Sequence, residues 1–186
     1  MKNLMLLVTI VILFSCKKED ATTVNDVVTD IQENTEVIAK EGVGKITLSC
    51  NGKEITAEGV CGGVITMGTL VIAVKDKTNP AKIFTINFST ADFPVNGKEY
   101  LIKPKDYTLD KNPENEVSVS FIEALSNSKM NVWDTQPTSG KLVFSVKGNE
   151  IKCQLKGIKL EPGKMYNVAD LQGEGIVSGE LTLYKN

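Results

Sequence analysis

Two tight-turn dipeptides constrain this chain more than anything else in it. Asn51-Gly52 stands between Ile46-Thr47-Leu48 and Lys53-Glu54-Ile55-Thr56-Ala57, and Gly148-Asn149 stands between Val146 and Ile151. Asn and Gly tolerate the positive φ angles of a two-residue turn. Apolar and polar residues that alternate follow the two-residue period of a half-buried strand, so each pattern reads as a β-hairpin. Further strand-like segments are Thr69–Val74, Lys82–Phe88, Glu99–Ile102, Val117–Ala124, Lys141–Val146, Glu150–Leu155 and Gly175–Leu183, separated by turn-forming residues. Helical periodicity is weak over the same region. The expected fold is all-β: an antiparallel β-sandwich over residues 42–186, with a lipocalin-like up-and-down barrel as the alternative.

Missing residue types narrow the chemistry. The chain has no histidine, which removes Ser-His-Asp and Cys-His nucleophilic sites and imidazole acid–base work near neutrality. Every basic residue is a lysine, so no guanidinium fork is present to grip a phosphate or carboxylate in two places. The formal charge is −2 and no basic stripe runs along any segment, which argues against a nucleic-acid partner. No enzyme activity and no cofactor are expected.

The N-terminus carries a different message. Lys2 precedes the apolar run Leu4–Phe14, and Leu13-Phe14-Ser15-Cys16 is followed by Lys17-Lys18-Glu19-Asp20. The run is shorter than the roughly 20 apolar residues that span a bilayer and fits the apolar core of a signal peptide. These residues resemble a bacterial lipoprotein signal peptide with its lipobox, although Phe14 is bulkier than usual there. The resemblance implies that residues 1–15 are removed and that Cys16 becomes a lipidated N-terminus, held in the membrane by its acyl chains. Two or three such chains hold firmly at about 0.8 kcal/mol per buried methylene. The run Lys18-Glu19-Asp20 resembles the signal that sends Bacteroidota lipoproteins to the outer face of the outer membrane; the periplasmic face is the alternative. Taken whole, the chain resembles the small lipoproteins common in Bacteroidota, a likeness that brings no active site with it.

Residues 16–41 read as the acylated N-terminus and a polar linker. Within it Val24, Val27, Val28 and Ile31 fall at the spacing of one helix face, with Asp26, Asp30 and Glu33 on others. A short amphipathic helix, packed on the domain or self-associating, and a flexible spacer are the two readings.

Several residues are candidate sites. Export exposes Cys50, Cys61 and Cys153 to oxidising conditions, and Cys50–Cys61 is the pairing that closes the shortest loop. Asp110, Asn112 and Glu114 in the irregular stretch from Lys103 to Glu116 offer oxygens to calcium, but without the glycine and distal glutamate of an EF-hand, so no metal site is expected. Trp133 and Tyr107, with Tyr100 and Tyr166, are the aromatics available to contact a ligand, while Met67, Met130 and Met165 read as fillers of core gaps. The expected function is a non-catalytic binding module for a protein or glycan. Alternatives are a carrier of a small apolar ligand and a hydrolase built on carboxylates such as Asp92, Asp106, Glu123 or Asp134.

Overall fold

The computed structural model describes residues 35–37, 39–106, 112–125, 129–137, 139–163 and 173–186. Among the described residues there are eleven strands: β1 Thr35–Val37, β2 Ala39–Cys50, β3 Lys53–Thr66, β4 Thr69–Asp76, β5 Lys82–Phe88, β6 Glu99–Ile102, β7 Glu116–Ala124, β8 Met130–Thr135, β9 Gly140–Lys147, β10 Glu150–Pro162 and β11 Gly175–Lys185. The all-β expectation holds, and no helix occurs among the described residues. The leader, Cys16 and the amphipathic stretch 24–31 lie outside them.

The two-sheet sandwich does not form. Pairings run from β3 through β2, β11, β10, β9, β6, β7, β5 and β4 and return to β3, so nine strands close one ring. Closure comes from β2 and β11, which pair from Ser49↔Ile176 to Ala39↔Lys185 and so remove the free edges two facing sheets would have. The ring can be traced in a second way. β7 pairs with β6 at Glu116 and Val117 but with β8 from Ser120 to Ala124. β10 pairs with β9 at Glu150–Cys153 but with β8 at Leu160–Pro162. Through β8 the circuit is β2-β3-β4-β5-β7-β8-β10-β11, every neighbour antiparallel and in chain order; β6 and β9 are wedged into one end of it.

That fork leaves backbone groups of β7 and β10 between their neighbours, and side chains take them up. Thr135 Oγ1 accepts from the Val119 N–H at 2.6 Å and donates to the Val119 carbonyl at 2.9 Å. Ser139 Oγ accepts from the Gln136 N–H and donates to the Lys159 carbonyl at 2.6 Å. Buried backbone groups left unpaired are costly, so these two hydroxyls make the fork tolerable.

Alternation decides what is inside. Ile46 and Leu48 of β2, Ile72 and Val74 of β4, Phe84 and Ile86 of β5, Phe121 of β7, Phe144 of β9 and Leu183 of β11 are all fully buried in one cluster. Each such side chain contributes about 1.5–3 kcal/mol on leaving water. The loop from β5 to β6 crosses one end of the barrel. Its Phe93 packs on the core beneath Lys185 of β11, the Val95 N–H donates to the Tyr100 hydroxyl, and the Gly97 N–H donates to the Phe144 carbonyl. A lumen for an apolar ligand would have to displace this cluster.

The sheet also begins earlier than residue 42. β2 starts at Ala39, and β1 pairs with β3 through Thr35↔Thr66 and Val37↔Val64. β8 is the other strand that alternation did not announce.

Candidate functional site

A groove of about 460 Å³ lies on the outside of the barrel, at the end where the β3–β4 turn, the end of β5 and the stretch between β6 and β7 meet. Its floor is sheet: Asn87 of β5 and Ser118 of β7 are register partners whose side chains alternate outward, away from the core. One wall is the turn Met67-Gly68; the other runs from Lys103 to Asp106, with Asn112 and Glu116.

That second wall is braced at its base. Asn112 Oδ1 accepts from the Asp106 N–H at 3.0 Å and Asn112 Nδ2 donates to the Asp106 carbonyl at 3.1 Å. The Lys103 N–H donates to the Val117 carbonyl, the Glu116 N–H to the Pro113 carbonyl, and the Ser89 hydroxyl to the Glu116 carbonyl. Lys103 Nζ donates to the Pro137 carbonyl at 3.3 Å, tying the wall to the fork. The groove therefore offers lysine donors, carboxylate acceptors, an amide and hydroxyls within one concavity. Its size is in the range of small-molecule sites.

Met67 stands apart in that lining. It is 75% exposed, and its φ of 50° lies in the left-handed region. Among the described residues only Asn51 shares that conformation without being glycine, and both precede a glycine with positive φ. Asn suits such a turn; methionine gains nothing from it and pays the steric cost of its Cβ. The expected core filler is thus a surface residue overhanging a groove.

The other candidates are dispersed. Trp133 is fully buried and donates from Nε1 to the Gly173 carbonyl at 3.2 Å, so it is a core anchor and not a ligand platform. Tyr107, Tyr166, Met165 and Asp110 lie outside the described residues. Tyr100 is buried against Phe88 and Phe144. Asn112 spends its amide on Asp106, and Glu114 is exposed on the same stretch. No group of three or more metal-ligating side chains occurs among the described residues.

The Cys50–Cys61 bridge is ruled out by register. Cys50 pairs with Lys53 at the hairpin tip while Cys61 pairs with Gly42, so most of β3, roughly 26 Å at about 3.3 Å per residue, separates them. A disulfide needs Cα atoms within about 7 Å. Cys50, Cys61 and Cys153 are buried and not bridged to one another. Burial pushes the Cys61 thiol up to about 12, helped by Cys153 nearby, and burial alone does the same to Cys153.

The hydrolase carboxylates do not gather. Asp92 lies in the β5–β6 loop and Glu123 accepts from Asn131 Nδ2 at 2.9 Å. Asp134 faces Glu161 across the β8–β10 pairing; burial first, and then the Glu161 charge, raises its carboxyl. Of these four only Asp106 lines the groove, where Glu116 is the other carboxylate among the described residues. Comparison of the chain with protein families, with characterised proteins and with solved structures finds no match.

Proposed function

We propose that the chain is an outer-membrane lipoprotein, acylated at Cys16 and displayed at the cell surface, whose barrel is a non-catalytic module that binds a saccharide in the groove beside Met67. The groove itself carries the reading: lysine, carboxylate, amide and hydroxyl groups line one braced concavity of about 460 Å³. Neighbouring sugar hydroxyls are donors and acceptors at once and suit a lining that mixes both kinds. The Met67 thioether supplies a polarizable apolar contact for a ring face, in the absence of an exposed tryptophan. A protein partner needs about 800 Å² on each side, more than a groove of this size provides.

The lipid anchor rests on the resemblance at Leu13–Cys16, and its check is metabolic labelling with a fatty acid. Label should enter the protein and be absent from Cys16→Ala. For the groove, the amide signals of Asn87 and Ser118 should move when the intact protein is titrated with cellobiose or N,N′-diacetylchitobiose, and Asn87→Ala should weaken that binding. If neither these disaccharides nor maltose moves any groove signal at millimolar concentration, the saccharide reading is wrong.

A further inference from the structure

The groove and the chain's route to Cys16 share one end of the barrel. β1 pairs Thr35 with Thr66, one residue before the Met67-Gly68 turn that walls the groove. Residues 17–34 separate Thr35 from Cys16, a distance of at most about 65 Å for a fully extended chain. The β5–β6 loop belongs to the same end. It leaves the groove at Ser89, the Thr90 carbonyl accepts from the Leu70 N–H, and Asn96 Oδ1 accepts from the Val146 N–H beside the Gly148-Asn149 turn.

What this end exposes suits a lipid surface. Met67 at 75% and Val95 at 58% are apolar side chains left in water on its turns. Lys98 lies over the Tyr100 ring and Lys185 over the Phe93 ring. Such lysines lay an apolar stem along the protein and keep the charge at headgroup level. Charge does not choose the lipid, because the signs are interleaved. Lys40 is followed by Glu41 and Lys98 by Glu99, Lys147 shares its turn with Glu150, and Asp92 precedes Phe93. Glu99 and Glu150 also hold Lys141 and Lys152 as ion pairs. Anionic lipids are recognised by blocks of one sign, whereas a sugar headgroup needs the mixed donors and acceptors of the groove. The one tryptophan, Trp133, is buried, so no indole face is there to stack on a sugar, and a free sugar is held weakly. A headgroup in the membrane that anchors the barrel meets the groove at an effective concentration on the order of millimolar, which suits a weak site.

We propose that the groove's ligand is the saccharide headgroup of a glycolipid in the membrane that holds Cys16, with Val95 and the ends of Lys98 and Lys185 meeting that membrane. The proposal rests on the anchored, saccharide-binding reading above. The groove lies on the side wall, so a membrane met end-on leaves its floor of Asn87 and Ser118 uncovered and within reach of a headgroup.

The test uses the intact acylated protein with Val95→Cys carrying a nitrobenzoxadiazole label, held by its own anchor in phosphatidylcholine vesicles. Cellobiosyl diacylglycerol or N,N′-diacetylchitobiosyl diacylglycerol added to the vesicles should shift the label's emission to the blue as position 95 reaches lipid. Phosphatidylglycerol should not. Free disaccharide in excess should reverse the shift, and Asn87→Ala should abolish it. Unchanged near-ultraviolet dichroism from buried Trp133 would certify that both variants remain folded. A shift in vesicles without glycolipid, or one that survives Asn87→Ala, would overturn the proposal. So would no shift with either glycolipid while the free disaccharides still move the Asn87 and Ser118 signals, a result that leaves the saccharide reading standing. If the free disaccharides move nothing either, both readings fall together.

Discussion

Asp76 ends β4 with a side chain that holds the next turn together. Its carboxylate accepts from the Thr78 hydroxyl at 2.6 Å and from the N–H groups of Asn79, Thr78 and Glu58. Burial alone would raise this carboxyl, but those four donors outweigh it and hold it well below the usual carboxylate range. A depressed folded value stabilises the protein fully above about pH 4, the ordinary aspartate value, and the contribution fades as pH falls from there toward the folded value. Asp76→Ala should therefore cost about 2–3 kcal/mol at pH 7, and the difference from the parent should shrink in urea melts at pH 3. The cysteines give a second prediction at this scale. With thiols raised to about 12 by burial, Cys61 and Cys153 should resist iodoacetamide at pH 8 in the native protein and react fully once it is unfolded. Intact mass under oxidising conditions should show no hydrogen loss from a Cys50–Cys61 bridge.

Two turns and one seam show how elements differ in what they announce. Asn51-Gly52 declared its hairpin in the sequence. Met67-Gly68 makes the same kind of turn with a residue that hides it, and for that reason the groove's rim was not legible. Met67→Asn should raise the denaturation midpoint, by about 0.5–1 kcal/mol of stability, while weakening disaccharide binding; a gain in stability without loss of binding would remove Met67 from the site. At the β2–β11 seam Gly179 has φ +148°, and a Cβ there would come within 2.1 Å of the Lys45 carbonyl oxygen. Gly179→Ala should destabilise by on the order of 3 kcal/mol, read as a lower urea midpoint. Strands with clean alternation, such as Lys82–Phe88 and Glu99–Ile102, were legible to the residue. β8 was not, because its pattern is inverted by its surroundings: polar Asn131 is buried beside Glu123, polar Thr135 is buried at the fork, and Val132 is buried although it points outward. The three residues of β1 are too few to carry a period.

Closure belongs to the whole molecule and was the least legible feature. Alternation says which side chains face inward but not which distant strand stands alongside, and the ring depends on residues 39–49 finding residues 176–185. Such non-local pairing carries a loop-closure cost before it gains any contact, so folding should be slow for a domain of this size, in milliseconds to seconds. Removing residues 175–186 should abolish the cooperative urea transition altogether, since β2 and β10 would both lose a neighbour; a truncated chain that still melts sharply would contradict this. The groove's composition was partly legible in the Lys103–Glu116 stretch. Its floor was not, because Asn87 and Ser118 are ordinary outward residues until β5 and β7 pair.

The pairing of Ala39 with Lys185 has a mechanical consequence. Tension applied between the start of β2 and the end of β11 meets the ladder at its last rung, so hydrogen bonds break one after another and the barrel unzips at low force. Tension between the Asn51-Gly52 tip and Lys185 is applied to opposite ends of the same ladder and loads all its rungs together in shear. Resistance to pulling is thus set by where the chain is held, with the start of β2 and the end of β11 the weakest grip.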